Sequence, residues 1–355
     1  MPGRAARDWT QERAALLAWY DAHARDLPWR RTRDPYAIWV SEIMLQQTRV
    51  ETVIPYYLRF LTRFPSALAL AEAPLDDVLA HWSGLGYYRR ARLLHEGARQ
   101  VVRDHGGELP RDAAHRRALP GIGAYTAGAI GSIAFDLPEP IVDGNVARVL
   151  SRLVCIDTPL GERTTERALW HQAAQLAEGE RPGALNQALM ELGARVCVPI
   201  NARCGACPVA EKCAARRSGR VDELPVAAKK KQPVPVQLVA LVARAADGKL
   251  WLSRSDGSLF GGLWGCPLEP GSGRESARTL AERTGLAGKL SRKQLGSITH
   301  TLTHRLMTVT VFGLAQAEGS EHASLRKLAD AELSSLGIAT LTRKILASTS
   351  PAAST

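Results

Sequence analysis

From residue 9 to about residue 215, apolar positions recur at helical intervals, alanine, leucine and arginine dominate, and no segment alternates with period two. This stretch is read as helical throughout. Residues 9–23 form one amphipathic pattern, which Leu27-Pro28-Trp29-Arg30 breaks. Asp34-Pro35-Tyr36 leads into a second helix over 38–48. Further on, Leu119-Pro120-Gly121-Ile122-Gly123 forms a tight glycine turn before a helical run over 124–133, and Asp143-Gly144-Asn145 opens another helix over 146–154. After Cys213 the pattern changes. Residues 218–235, rich in proline and lysine, read as a linker. Residues 236–243, 250–253 and 307–314 then alternate or are β-branched, and 276–284 looks helical. The expected protein is multidomain: an all-α region over 1–217, the linker, an α+β domain over 236–347 and a disordered tail over 348–355.

Composition narrows the partner. A formal charge of +11 over 355 residues favours a polyanion. No run reaches the roughly 18 apolar residues needed to span a membrane, and MPGRAARDWTQER lacks a signal peptide's apolar core, so the cytoplasm is the expected compartment and no membrane partner is expected. There, six cysteines are not read as disulfides. Cys197, Cys204, Cys207 and Cys213 form C-x6-C-x2-C-x5-C, with Cys155 and Cys266 apart. Four thiolates so close in sequence suit tetrahedral zinc or a cubane iron–sulfur cluster, and the uneven gaps fit the cluster better. Arg195, Arg203, Lys212, Arg216 and Arg217 make the module basic.

Three further features carry chemistry. The amides of the Gly121–Gly123 turn, at the start of a helix, suit a phosphate, and the missing side chains let a nucleic-acid backbone come close. Glu42 sits among Trp39, Val40, Ile43, Met44 and Leu45, an apolar setting that raises a carboxyl pKa and makes a general acid. Trp82-Ser83-Gly84-Leu85-Gly86-Tyr87-Tyr88-Arg89-Arg90 joins a flexible turn, aromatics and bases, as stacking on nucleobases requires. The first two have a plainer reading: an interhelical turn with Asp143 as ordinary N-cap, and a solvated glutamate.

Together SEIMLQQT, GLGYY, LPGIGAYTAGAI, VDGNV, LNQALMELG and the cysteine spacing resemble the helix-hairpin-helix DNA glycosylase superfamily, and within it the MutY adenine glycosylases, over residues 9–345. The resemblance implies a [4Fe-4S] cluster on the four cysteines, Glu42 as the acid that protonates adenine, Asp143 as the carboxylate facing the sugar cation, and Tyr125 and Asn145 holding Asp143 and the water. It places Trp29, Arg30, Leu45 and Gln187 around the flipped adenine and Gln47 and Tyr87 in the duplex. Its substrate would be double-stranded DNA with adenine opposite 8-oxoguanine or guanine, bound by a monomer in the bacterial nucleoid. The sister endonuclease III family has a Schiff-base lysine where this chain has Tyr125, so a monofunctional enzyme is expected. Ala147 stands where some relatives have lysine.

The C-terminal part resembles a Nudix-like domain. In the aligned run Arg278-Thr279-Leu280-Ala281-Glu282-Arg283-Thr284-Gly285, Thr279 and Arg283 replace two of three metal-binding acids, so binding without hydrolysis is expected. Thr299-His300-Thr301-Leu302-Thr303-His304 lies where that family has its Phe-Ser-His reading loop; Leu302 and Thr303 replace the phenylalanine and serine, leaving Thr303 and His304 as the expected readers of 8-oxoguanine. A pyrimidine or thymine glycosylase on the same scaffold is disfavoured by Tyr125, Glu42 and the C-terminal domain. A non-catalytic DNA-binding protein is disfavoured because both acids are present.

Overall fold

The computed structural model describes residues 7–228, 232–255, 259–302 and 304–349. The chain divides into two compact units, residues 1–72 with 93–229, and residues 73–92 with 230–355. Among the described residues no helix is long and apolar enough to cross a membrane.

The first unit is helical, as its periodicity demands. The Pro35–Leu45 helix begins where the Asp34 side chain accepts from Tyr36 N at 3.0 Å and Pro35 supplies a preset φ. Tyr36 to Met44 are all buried, so this helix runs through the core and carries Glu42 inside. It stops three residues before the expected end, and Gln47 just beyond it takes φ +57, a left-handed conformation rare outside glycine. The hairpin pairs Ala113–Arg117 with Ala124–Phe135 through a turn in which Gly121 takes φ +76 and Gly123 is the N-cap. Beneath it Arg116, fully buried, donates to Pro110 O at 3.1 Å, to Ala127 O at 3.2 Å and to the Glu139 carboxylate. Asn186 of the Pro182–Arg195 helix donates to Ser132 Oγ and Glu139 O, both at 2.8 Å. These bonds anchor the irregular stretch that delivers Asp143 to the start of the Gly144–Val154 helix.

The residues expected as a linker are partly built into this unit. Leu224 is buried, its carbonyl accepts from Arg152 Nε at 2.8 Å, and Val226 O accepts from Leu160 N at 2.9 Å. Lysine and proline content marked the segment as loop; it does not reveal which loops pack. Residues 229–231 and 350–355 lie outside the described residues, and the last helix, Thr340–Thr349, runs two residues into the expected tail.

The second unit holds eight strands among the described residues: β1 (Val234–Arg244), β2 (Leu250–Arg254), β3 (Trp264–Gly265), β4 (Leu268–Pro270), β5 (Ala287–Leu290), β6 (Gly296–Leu302), β7 (Arg305–Glu318) and β8 (Leu325–Leu328). The sheet runs β3-β2-β1-β7-β5, with β1 and β7 parallel and the other pairs antiparallel. Both faces of β1 are covered, which is why its apolar run is nearly continuous. Leu238, Ala240 and Val242 pack with Leu341 and Ile345, whereas Val239, Leu241 and Ala243 pack with Ala277 and Leu280 of the Gly273–Arg283 helix.

Residues 73–92, helical over Leu75–His81, group with this second unit rather than with the first. Arg254 donates to Asp76 Oδ1 at 2.9 Å and the Tyr88 hydroxyl to Ile338 O at 3.2 Å. The expected aromatic stacking surface is therefore mostly used in packing. Trp82 and Tyr88 are buried, and Arg90 is buried with its guanidinium 5.4 Å from the centres of the Trp82 and Tyr87 rings; burial pushes its pKa down to about 10. Tyr87 alone of the aromatics is exposed, at φ +48.

Candidate active site

A cleft of about 570 Å³ in the first unit gathers most of the expected residues. Glu42, Tyr125, Asp143 and Asn145 line it, as do Trp29, Arg30, Leu45, Gln47 and Gln187. They come from five segments between Trp29 and Gln187, far apart in sequence. Tyr87 and the hairpin glycines Gly121 and Gly123 are outside this lining; Gly123 is exposed, with nothing within 4 Å of where a Cβ would stand.

Glu42 is only 4% exposed, and its Oε2 has no hydrogen-bond partner among the described residues. Burial, reinforced by Asp143, pushes its pKa up to about 7, against the pull of Tyr125 and Arg30. Asp143 is held differently. Its Oδ1 accepts from Val146 N at 2.7 Å, capping the helix, and its Oδ2 from Asn145 Nδ2 at 3.2 Å. Burial raises its pKa too, but these hydrogen bonds and Arg148 oppose the rise. Burial raises both carboxyls, but only Asp143 is met by a backbone amide and an amide side chain that favour its charged form.

Asn145 is fixed in turn. Its Oδ1 accepts from Arg148 Nη2 at 2.8 Å, and the same guanidinium reaches Gly193 O at 2.8 Å and, through Nε, Cys197 O at 2.7 Å. A Cβ on Gly193 would stand 2.6 Å from that of Asn145, so the close approach of the two helices requires glycine there. The Tyr125 hydroxyl donates to Met190 Sδ at 3.2 Å, whereas the side-chain bond to Asp143 comes from Asn145. Burial, with Glu42 and Asp143 nearby, raises the phenol pKa well above its usual value, so Tyr125 stays a donor.

Arg30 is anchored by Glu191, Nη2 to Oε2 at 2.9 Å, and Arg25 forks onto the same carboxylate at 2.8 and 3.0 Å. The two guanidinium groups hold the buried Glu191 at a pKa of about 2. Trp29 is 7% exposed and packs edge-on against Tyr57, so it offers a wall more than a stacking face. Arg148, Met190 and Glu191 escaped the sequence reading. A signal for two of them existed, since Gln187, Met190, Glu191 and Ala194 follow one helical face, and all line the cleft.

Cys197, Cys204, Cys207 and Cys213 line one small cavity beside the Gly144–Val154 helix. Burial first, then the neighbouring cysteines, push the Cys207 thiol up to about 11. Arg152, buried, donates to Cys197 Sγ at 3.4 Å and to Val198 O and Pro199 O at 2.7 and 3.1 Å, shaping the loop from beneath. Among the described residues no three His, Cys, Asp or Glu side chains are arranged to hold a single metal ion. Four thiols round one cavity are a donor set suited to a metal centre.

In the second unit Thr303 lies outside the described residues, and His304, just after it, is exposed at the turn from β6 to β7. Leu302 packs inward against the sheet core. In the Gly273–Arg283 helix, Arg283 pairs with Glu269 at 3.0 Å and Glu282 is exposed.

Residues 40–175 match the model of the HhH-GPD superfamily base excision DNA repair proteins, and 239–348 the NUDIX domain. The adenine DNA glycosylase of Homo sapiens is 38% identical over 366 aligned positions, covering 86% of this chain and 67% of that protein. That of Mus musculus is 39% identical, covering 87% and 71%. Among solved structures, a thermostable thymine-DNA glycosylase aligns over its whole length and 59% of this chain, with TM-score 0.53 and 30% identity. An endonuclease III–DNA covalent intermediate covers 60% of this chain and 99% of its own, with TM-score 0.50 at 21% identity, a likeness of fold. With the hairpin, the two carboxyls and the Nudix-like sheet in one chain, and with relatives this similar over most of their length, the chain belongs to the adenine DNA glycosylase (MutY) family.

Proposed function

We propose that this DNA glycosylase hydrolyses the N-glycosidic bond of adenine opposite 8-oxoguanine or guanine, in base excision repair of the bacterial nucleoid, as a cytoplasmic monomer. The observation that carries the reading is the pair of unlike carboxyls in one cleft, Glu42 pushed up to about 7 by burial and Asp143 supplied with hydrogen bonds that favour its charge. Adenine leaves the duplex stack and enters the cleft, whose volume suits a base with its sugar. Trp29, Arg30, Leu45 and Gln187 bound it, and Gln47, exposed at the cleft mouth in its left-handed conformation, wedges the duplex. Tyr87 is proposed as a second wedge on the strength of its exposure. The Gly121 and Gly123 amides receive a phosphate.

The Glu42 carboxyl gives its proton to adenine N7. The bond from C1′ to N9 then breaks with its electron pair leaving on the base, and the Asp143 carboxylate stabilises the sugar cation until water adds. Asn145 holds Asp143 in line. Tyr125 has no amine to form an imine, so the product is an abasic site and the strand stays whole. The test uses duplexes with A opposite 8-oxoguanine, A opposite G and T opposite G, treated with and without hot alkali. Strand breaks are expected only after alkali and only with A. Breaks at T alone would favour the thymine-excising relative's chemistry instead.

Cys197, Cys204, Cys207 and Cys213 would hold a [4Fe-4S] cluster. When bound it supplies a rigid fold to the basic loop rather than a reacting group, since none of the four cysteines lines the cleft. About four iron atoms per chain are expected in protein purified without oxygen; stoichiometric zinc would refute this. Thr303 and His304 are proposed to read 8-oxoguanine by hydrogen bonding, in a domain that has lost its metal-binding acids.

A further inference from the structure

The Tyr125 hydroxyl has one proton to donate and more than one acceptor within reach. It donates to Met190 Sδ at 3.2 Å, and it also lies close enough to the Glu42 carboxyl for a hydrogen bond to act on that group. The two choices have opposite chemical consequences. An O–H given to a carboxylate stabilises its charged form and draws the proton off; an O–H kept by sulfur leaves the carboxyl protonated. The other groups facing Glu42 have their own ties. Asp143, from the start of the Gly144–Val154 helix, disfavours charge on Glu42, and Arg30, from the Pro28–Arg30 turn, favours it while anchored to Glu191 at 2.9 Å. Facing Tyr125 itself are Glu42 and Asp143. Met190, half-buried on the Pro182–Arg195 helix, is the uncharged member of this group and lines the cleft with them. A thioether is a weak acceptor, so it competes with the neutral acid but cedes the proton readily once Glu42 is ionised.

We propose that Met190 is a positioning residue for acid catalysis: its sulfur competes for the Tyr125 hydroxyl proton and so weakens the donation of that hydroxyl to Glu42, which keeps the Glu42 proton available for adenine. The proposal rests on the reading of Glu42 as the acid. Single-turnover excision of adenine opposite 8-oxoguanine would be followed from about pH 5 to about pH 9 for wild type, Met190→Leu, Met190→Gln, Tyr125→Phe, Tyr125→Phe with Met190→Leu, and Glu42→Gln. Leucine fills the space without an acceptor. Its alkaline limb is expected about half a pH unit lower, a loss of about threefold near pH 8 with little change near pH 6. Glutamine, whose amide oxygen accepts again, should return the limb toward wild type. With Tyr125→Phe the hydroxyl is gone, and Met190→Leu should then move nothing. An unmoved limb in Met190→Leu overturns the proposal, and so does the same shift in the Tyr125→Phe background, which would mark a packing effect. Thermal unfolding accompanies each variant, with Met190→Ile as the second acceptor-free form if leucine does not fold. Should Glu42→Gln keep its rate, the acid itself is misassigned; should it lose its rate while Met190→Leu behaves as wild type, only the role of Met190 fails.

Discussion

The two walls of the cleft treat the same functional group in opposite ways. Glu42 projects from a helix buried on every side, with one carboxyl oxygen lacking a partner, while Asp143 ends a helix and is met by a backbone amide and an amide side chain. Burial with one oxygen left unpaired favours the neutral acid; donors on both oxygens favour the anion. A chemistry needing both forms at one pH therefore requires no unusual residue, only two unlike walls.

The strongest way to break this contrast is to remove each group in the state assigned to it. Glu42→Gln keeps the shape but has no acidic proton, and Asp143→Asn keeps the helix cap but has no charge. Each is expected to lower single-turnover excision by about a thousandfold or more, judged from the usual worth of a general acid and of preorganised charge, with duplex binding retained in a gel-shift measurement. Near wild-type excision by either variant would remove that acid from the mechanism. A second test follows the proton. Because the protonated acid is the active form, the excision rate should fall as pH rises through about 7, the value to which burial moves Glu42. Stability should follow the same sign: a carboxyl with a raised folded-state pKa gives stability that is complete below the unfolded value and is lost as pH rises to the folded one. Wild type should thus lose about 2–3 kcal/mol relative to Glu42→Gln between about pH 5 and pH 8, read from denaturant unfolding. A pH-independent difference would mean that Glu42 is not titrating in that window.

The smallest effect is expected far from either wall. Replacing Thr303 and His304 together by alanine removes the proposed hydrogen bonds to 8-oxoguanine, each contributing on the order of 1 kcal/mol. Binding of an uncleavable adenosine analogue opposite 8-oxoguanine and opposite guanine should show a moderate loss of preference, with excision retained. An unchanged preference would remove the reading role from this turn.

What could be read in the sequence was what local rules govern. The burial of Glu42 follows from the apolar residues on all sides of it, the cap from Asp143-Gly144-Asn145, the turn from two glycines, and β1 from its unbroken apolar run. The motif resemblance then joined segments that periodicity alone leaves apart. What escaped depends on contacts between distant residues of ordinary type. Tyr88 was available for stacking in the sequence but spends its hydroxyl on Ile338, and lysine-rich residues after Cys213 include a buried Leu224 tied to Arg152. Met190 was one more apolar residue on a helix until its sulfur was found against Tyr125.

The position of Asp143 has a consequence for descent. As the N-cap of the Gly144–Val154 helix, the same side chain that carries the charge also starts an element on which Arg148 and Arg152 hold the cysteine loop. Asparagine caps a helix about as well as aspartate, and the two codons differ by a single base. Given the role proposed for Asp143, a lineage can therefore lose the chemistry in one mutational step without losing the helix, leaving a folded protein that binds its DNA substrate without cutting it. Alanine at this position cannot make that exchange, since the cap goes with the charge.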